Sequence, residues 1–219
     1  MKRLLIYVEG QTEETFVRDV LAPHFWTLEI HPEPTLARTK RTKSGQTFKG
    51  GITSYERVKR DIRRLLSDSN VVAVTTMLDY YNLPNDFPGK HNLPVGSCFA
   101  RVEHLENQLS SEIADPRFVP FLTLHEFEAL LFSQPDLIET VFPDDSIKGR
   151  LLAEGLMFDT PEEINEGIST HPSARILKYA PRYRKTLHGP LIANRIGLMT
   201  IRSKCPHFNV WLTNLETLA

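Results

Sequence analysis

Apolar and polar positions alternate in a way that predicts strands and helices in turn through the first half of the chain. A continuous apolar run at 4–8 ends at Glu9 and Gly10, which is typical of a buried strand. The run at 71–78 is rich in β-branched residues and predicts the centre of a parallel sheet. A run at 28–36 contains two prolines, which favour the edge of a sheet.

Helical spacing fills the gaps between these runs. Apolar residues recur with helical spacing at 12–22, at 55–66 and at 99–113, and Pro23 is expected to end the first of these helices. From His125 onward the pattern is helical and is broken repeatedly by prolines. We therefore expect an α/β fold with a mainly parallel central sheet flanked by helices over 1–133. A helical C-terminal lobe, 134–219, would pack on that core or form one domain with it.

Composition places the chain among folded globular proteins, with 41% hydrophobic and 24% charged residues in 219. No apolar run approaches the roughly 18 residues that a membrane span needs. The two cysteines, Cys98 and Cys205, form neither a disulfide scaffold nor a CxxC zinc pattern. These features predict a cytoplasmic protein that does not enter a membrane.

The net charge of −1 hides two strongly basic segments. Residues 38–64 hold ten Lys or Arg and two acids, and residues 175–204 hold eight and none, so each segment carries +8 and the rest carries −17. Such a distribution fits an anionic polymer held beside a carboxylate-bound metal, and it equally fits solvated helix faces. The candidate nucleic-acid contacts are Lys40, Arg41, Lys43, Lys49, Arg60, Arg182 and Arg184.

Two acidic residues end the two clearest strands. Glu9 follows the first strand and Asp79 the central one, and ligands of parallel sheets collect at such carboxyl ends. Glu13 lies one helical turn beyond Glu9. Carboxylate oxygens are the ligands that Mg²⁺ prefers, so a metal site is one interpretation. The alternative is that Glu9 stabilises a turn and Glu13 the N-terminus of a helix.

The residues around these acids resemble known motifs. Val8-Glu9-Gly10-Gln11-Thr12-Glu13 resembles the EGxxE signature of the Toprim fold, which topoisomerases, primases and overcoming-lysogenization-defect nucleases share, and Asp79 falls where those proteins carry a DxD motif. The stretches 124–132 (LHEFEALLF) and 205–212 (CPHFNVWL) resemble an uncharacterised bacterial family related to this fold. The resemblance implies one or two Mg²⁺ or Mn²⁺ ions at Glu9, Glu13 and Asp79, acting on a phosphodiester. It also implies an ABC-type ATPase partner and a role in phage defence.

The chain departs from the DxD motif, because Tyr81 stands where the second acid is expected. Asp86, Glu126 or Glu128 could replace it. Residues two apart on a helix diverge by about 200°, so only one of Glu126 and Glu128 is expected to face the cleft. We favour Glu126 as the metal ligand and expect Glu128 in a salt bridge or at the surface.

The second basic segment offers two further candidates for catalysis. Lys185 and His188 are one helical turn apart and could face the same point. By resemblance to nucleases that neutralise the scissile phosphate with a lysine, Lys185 would have that role and His188 would donate a proton or contact phosphate. The alternative for Lys185 is a solvated residue of a basic loop.

These features predict metal-dependent phosphodiester hydrolysis of nucleic acid. The missing second acid motivates an alternative, a non-catalytic module that binds nucleic acid or an ATPase. A phosphotransfer enzyme or phosphatase for small molecules is disfavoured, because such a substrate needs no long basic surface.

Overall fold

The computed structural model describes residues 1–37, 52, 54–142, 147–164 and 167–219. Four of the predicted nucleic-acid contacts, Lys40, Arg41, Lys43 and Lys49, lie outside the described residues.

A parallel sheet forms the centre of the fold, as predicted. Its strands are β1 (Lys2–Val8), β2 (Ile30–Leu36), β3 (Val71–Asp79), β4 (Phe118–Val119) and β5 (Leu122–Thr123). The order is β2-β1-β3-β4, β5 also pairs with β3, and every pairing is parallel. Val8 pairs with Leu36 on one side and with Met77 on the other. The carboxyl ends of β1, β2 and β3 therefore meet at one edge of the sheet.

Proline residues shape both sides of this sheet. The strand with two prolines, β2, is the edge strand that the sequence predicts. On the other side, Pro120 divides the apolar run at 118–124 into β4 and β5. The Thr76 hydroxyl fills the interruption, because it donates to the Phe121 carbonyl at 2.8 Å and accepts from the Phe121 N–H at 2.9 Å. A side chain thus replaces the ladder hydrogen bonds that the proline removes.

The helix after β1 is longer than predicted, so the expectation that Pro23 ends it is wrong. It consists of α1 (Gln11–Phe16), a π-helical segment (Val17–Leu21) and α2 (Ala22–Trp26). Pro23 lies in the first turn of α2, directly after the π-helical segment has shifted the hydrogen-bond register. The backbone N–H of a first-turn residue has no partner within the helix, so a proline, which lacks this N–H, is accommodated there.

Helices cover both faces of the sheet. The longer ones on one face are α3 (Tyr55–Leu66) and α4 (Cys98–Ile113), which form a hydrophobic core with Leu5 and Tyr7 of β1. Leu4, Ile6 and Val8 face a second core with α1 and α2. Two 3₁₀ helices, Tyr80–Asn82 and Lys90–Asn92, lie between β3 and α4. The C-terminal half adds α5 (Pro135–Thr140), α6 (Arg150–Gly155), α7 (Pro172–Tyr179), α8 (Lys185–Ile196), α9 (Leu198–Lys204) and α10 (Pro206–Glu216), and 3₁₀ helices at Phe127–Ser133 and Pro161–Glu163.

The C-terminal helices share the second core with β1. Trp211 of α10 is buried, stacks on Phe121 at 4.2 Å between ring centroids, and donates its indole N–H to Thr75 of β3 at 2.8 Å. The division of the chain at residue 133 stays a prediction. Among the helices of the described ranges, none combines the length and the apolar character that a membrane crossing requires.

Substitution of Trp211 tests whether the C-terminal helices unfold together with the sheet. We expect Trp211→Ala to lower the free energy of unfolding by about 3–5 kcal/mol, because a buried indole, its hydrogen bond and its stack on Phe121 are lost. The exposed neighbour Val210→Ala should change it by less than about 0.5 kcal/mol. Urea unfolding followed by circular dichroism measures both. Two separate transitions, of which Trp211→Ala shifts one, would instead support an independent lobe after residue 133.

Candidate active site

The edge where the strands end carries the acids that the sequence singles out. Glu9 follows β1 and Asp79 ends the neighbouring β3, and a Glu9 carboxylate oxygen accepts the Asp79 backbone N–H at 3.3 Å. Glu13, in the first turn of α1, is buried and accepts the Gly10 N–H at 2.9 Å. The structure thus brings the three acids to one place. Glu13 also makes a contact at the N-terminus of α1, as the alternative interpretation predicts.

Glu126 and Glu128 both face this edge, so the expectation that only one of them could do so is wrong. The Lys185 ammonium lies 2.7 Å from a Glu126 oxygen and 3.1 Å from a Glu128 oxygen. The helical argument fails because Glu126 is not helical. Its backbone is extended (φ −157°, ψ 166°), and the 3₁₀ helix begins at Phe127. His125, with φ of +63°, turns the chain immediately before it.

Glu126 is held by more donors than the other acids of this edge. One oxygen accepts the Ser173 N–H and lies 3.0 Å from His171 Nδ1, and the other accepts the Ser173 hydroxyl at 3.1 Å in addition to Lys185. Burial alone would raise the pKa of Glu126, but the Lys185 charge, the hydrogen bonds from Lys185 and Ser173, and His171 together lower it. Glu126 is therefore a carboxylate that the fold stabilises in its ionised form.

Glu128 is buried and is bound differently. The Tyr183 hydroxyl donates to one of its oxygens at 3.0 Å, and Lys185 contacts the other. Burial, followed by the charge of Glu126, raises the pKa of Glu128 to about 7. The expected salt bridge of Glu128 is thus present. The contact of Glu128 with Tyr183 is one that the local sequence pattern does not indicate.

The remaining acids repel one another. Burial and the charge of Glu13 raise the pKa of Glu9 to about 7, and burial raises that of Glu13. Burial, followed by the charge of Glu9, raises the pKa of Asp79 well above its ordinary value. Lys185 contacts Glu126 and Glu128, and it acts on Glu9, Glu13 and Asp79 through its charge. Burial opposes its charge, but Glu128 and Glu126 outweigh burial and raise its pKa. The five acids of this edge, if all were ionised, would carry more negative charge than Lys185 can balance.

The ligand atoms at this edge are of the type that divalent metal ions bind. Glu9, Glu13 and Asp79 offer only carboxylate oxygens, which Mg²⁺ and Mn²⁺ prefer, and their repulsion would be relieved by a cation. In the described part of the chain, however, no three His, Cys, Asp or Glu side chains already lie together as a metal site. One Asp79 oxygen accepts the Phe127 N–H at 3.0 Å, and the oxygens of Glu126 are already occupied by donors. Metal binding would therefore need side-chain rotation at Glu9, Glu13 and Asp79, and Glu126 is the least suited of the four predicted ligands.

Comparison with known proteins places the chain in a family. The model of the family described as "Domain of unknown function (DUF4276)" matches residues 8–216. The chain belongs to the DUF4276 family. A solved structure that resembles this DUF4276 protein is the C-terminal region of the Burkholderia pseudomallei OLD protein, at 16% identity, with 100% of each chain covered and a TM-score of 0.44. That likeness is too distant to transfer chemistry. The curated proteins contain no match.

The expectation that His188 and Lys185 of the DUF4276 protein face one point is not met. The Lys185 ammonium contacts Glu126 and Glu128, whereas His188 Nδ1 accepts the Arg184 N–H at 2.9 Å. The His188 ring lies 5.9 Å from the Tyr183 ring, and the Tyr183 hydroxyl reaches Glu128. His188 is therefore separated from the carboxylates by one tyrosine.

Neither Asp86 nor Tyr81 supplies the second acid. Both Asp86 oxygens accept the Tyr55 N–H, at 3.1 Å, so Asp86 caps the N-terminus of α3. The Tyr81 ring stacks on His171, at 5.4 Å between centroids. The replacement acid is therefore sought among Glu126 and Glu128, of which Glu128 has fewer donors.

The second basic segment is less free than its charge of +8 suggests. Arg175 and Lys178 pair with Glu154, Arg202 pairs with Glu216, and Lys185 pairs with Glu126 and Glu128. Neither the interpretation of this segment as solvated helix faces nor its interpretation as a nucleic-acid surface included these ion pairs with acids elsewhere in the chain. Of the described candidates for nucleic-acid contact, Arg60, Arg182 and Arg184 are exposed.

Glu9 should make the protein less stable as the pH rises. Its pKa is about 7 in the folded protein and 4.5 ordinarily, so the folded state binds its proton more tightly. This contribution is complete below pH 4.5 and is lost as the pH rises through 7. Without divalent ions, Glu9→Gln should therefore be more stable than the wild type at pH 8, by about 2 kcal/mol, and similar to it at pH 4.5. Urea unfolding at both pH values in EDTA measures this; an advantage that shrinks toward pH 8 would contradict it.

The same substitution at Glu126 should have the opposite effect. Glu126→Gln removes an ionised acceptor from Ser173, His171 and Lys185, and breaking such a buried charged network is destabilising by about 3 kcal/mol. Because the pKa of Glu126 is lowered, this loss should be present at pH 7 and diminish in acid, as Glu126 itself becomes protonated. The measurement is urea unfolding at pH 7 and pH 4. Equal stability of Glu126→Gln and the wild type at pH 7 would contradict the structural role.

Proposed function

We propose that this DUF4276 protein is a metal-dependent phosphodiesterase that acts on nucleic acid. The observation that carries the proposal is the meeting of Glu9, Glu13 and Asp79 at the carboxyl edge of a parallel sheet, beside an ammonium group, Lys185, that two other acids hold in place. The resemblance of residues 8–13 to the EGxxE signature of the Toprim fold supports the same chemistry.

Glu9, Glu13 and Asp79 would hold the Mg²⁺ or Mn²⁺ ion. A bound divalent ion supplies a Lewis acid for a phosphoryl oxygen and lowers the pKa of a coordinated water. Glu128 is the acid best placed to complete the ligand set, since it is buried beside the cluster and its remaining partners are one tyrosine and one lysine.

Lys185 would contact the phosphate. Its side chain is 46% exposed while its ammonium touches Glu126 and Glu128, so it is anchored on the protein side and accessible from solvent. A positive charge held in this way stabilises the charge that develops on phosphate oxygens. Glu126 has the task of positioning Lys185, through its own bonds to Ser173 and His171, and Tyr183 orients Glu128.

Nucleic-acid cleavage tests the proposal directly. Supercoiled plasmid and single-stranded oligonucleotides, incubated with Mg²⁺ or Mn²⁺, should be cleaved by the wild type and at least a hundredfold more slowly by Glu9→Gln and Asp79→Asn. The control Glu112→Gln removes a surface acid that pairs with Lys59, and it should leave cleavage unchanged. Equal cleavage by wild type, Glu9→Gln and Asp79→Asn would contradict the metal-site assignment.

A second candidate is a module that binds nucleic acid or an ATPase without catalysis. Tyr81 in place of the second acid, together with the full occupancy of Glu126 by donors, favours it. Thermal unfolding with Mn²⁺ separates the two candidates. A metal-binding enzyme should gain thermal stability from Mn²⁺, more at pH 8 than at pH 6, and Glu9→Gln should lose that gain, whereas the module should show no gain at either pH. By resemblance, an ABC-type ATPase in phage defence is the partner to test by co-purification.

A further inference from the structure

A polar pocket lies on the far side of Tyr183 from the carboxylates. Its volume is about 630 Å³, and its lining includes the three nitrogen-bearing side chains of Arg182, Arg184 and His188, together with Phe142 and Tyr183. Among the described residues, the pocket lining contains no acidic side chain. Arginine and histidine nitrogens are donors, so the pocket favours an oxyanion.

Arg184 differs from the paired cations of the same segment. Its guanidinium forms neither an ion pair nor a hydrogen bond with any residue in the described ranges, and it is exposed. Its backbone N–H is nevertheless fixed, because it donates to His188 Nδ1 at 2.9 Å. The guanidinium of Arg184 thus extends from a hydrogen-bonded backbone and remains available to a ligand.

The contact with Arg184 also sets the tautomer of His188. Since Nδ1 accepts a hydrogen bond, the ring proton is on Nε2, and the ring is further held edge-on by Phe142 at 5.0 Å between centroids. Burial and the charge of Arg184 lower the pKa of His188, which favours the neutral ring. His188 therefore offers the pocket a donor, and this role differs from the proton transfer at the carboxylates that the sequence suggested.

Tyr183 connects the pocket with the acids. Its ring lines the pocket and its hydroxyl donates to Glu128, which also contacts Lys185. The pocket and the Lys185 ammonium are therefore linked through one tyrosine and one carboxylate, so the pocket lies beside the edge where the proposed scissile phosphate would bind. Arginine frequently makes bidentate contacts with phosphate, and the pocket is large enough for a phosphate group.

We propose that the pocket of Arg182, Arg184 and His188 binds a phosphate group of the nucleic-acid substrate outside the bond that is cleaved. Only the identity of the substrate rests on the proposed function. The phosphate is either the terminal monoester of a strand end or an internal diester, and the chemistry of recognition is shared. The pocket thereby positions the strand, and it needs no metal to do so.

Binding of short oligonucleotides to the full chain in EDTA tests this role without catalysis. The probes are a fluorescent single-stranded hexamer with a 5′-phosphate and the same hexamer with a 5′-hydroxyl, followed by anisotropy. Arg184→Ala should weaken binding about tenfold, which is the loss of one charge-assisted phosphate contact. It leaves the backbone bond to His188 in place. Arg195→Ala removes an exposed arginine of α8 outside the pocket, and it should change binding by less than twofold.

The outcomes separate the two phosphate sources. A loss in Arg184→Ala confined to the 5′-phosphorylated probe, with competition by inorganic phosphate, indicates the terminal monoester; an equal loss for both probes indicates an internal diester. Equal binding by Arg184→Ala and the wild type, equal losses in Arg184→Ala and Arg195→Ala, or no binding by the wild type would overturn the proposal. The surface variant Glu112→Gln, outside the pocket, should bind as the wild type does. If Glu9→Gln cleaves nucleic acid as the wild type does, the proposed function fails while the pocket result stands.

Discussion

The ion pairs of Lys185 with Glu126 and Glu128 are the interaction on which the functional edge depends. Two buried carboxylates at this position would repel each other strongly without a cation, and charges buried without a partner are among the most destabilising features of a protein. The ammonium comes from α8, far along the chain, and so joins the C-terminal helices to the segment that follows β5. The same contact that permits this acidic edge therefore also ties α8 to residues 126–128.

Parallel topology explains why the acids meet. Neighbouring parallel strands end at the same edge, so a residue that follows β1 and a residue that ends β3 become neighbours although 70 positions separate them. The acids at this edge fall into two groups that differ in their hydrogen-bond donors and in their pKa values. Glu126 receives donors from α7 and α8 and has a lowered pKa, whereas Glu9, Glu13 and Asp79 receive mainly backbone N–H groups and have raised pKa values. Donor contacts, in addition to burial, divide the acids into a positioning residue and candidate metal ligands.

The sequence predicts the parts of this edge that follow from local pattern. Strand ends locate Glu9 and Asp79, and the helical step of one turn locates Glu13 near them. The joint position of Glu126 and Glu128 was beyond local pattern, because it depends on a left-handed residue, His125, and an extended one before a 3₁₀ helix. A helical wheel assumes regular α-helical geometry and therefore cannot represent such a turn.

Long-range contacts were equally invisible in the sequence. The sequence marks Lys185 as basic, but its two partners lie 59 and 57 residues away, and nothing local indicates that Tyr183 and Lys185 share Glu128. The charge pattern misled for the same reason. A segment of +8 suggested a free basic surface, yet Arg175, Lys178 and Arg202 pair with acids elsewhere in the chain.

Charge balance at the edge connects stability with function. Lys185 balances one of the charges of Glu126 and Glu128, and Glu9, Glu13 and Asp79 have no ammonium or guanidinium contact of their own among the described residues. At neutral pH the protein can relieve their repulsion by retaining protons, which is what raised pKa values express, or by binding an external cation. A divalent ion would displace those protons, and the energy of burying three acids would then favour metal binding. Under the proposed function, an acidic edge that is costly to the isolated fold would become the source of its affinity for the metal ion.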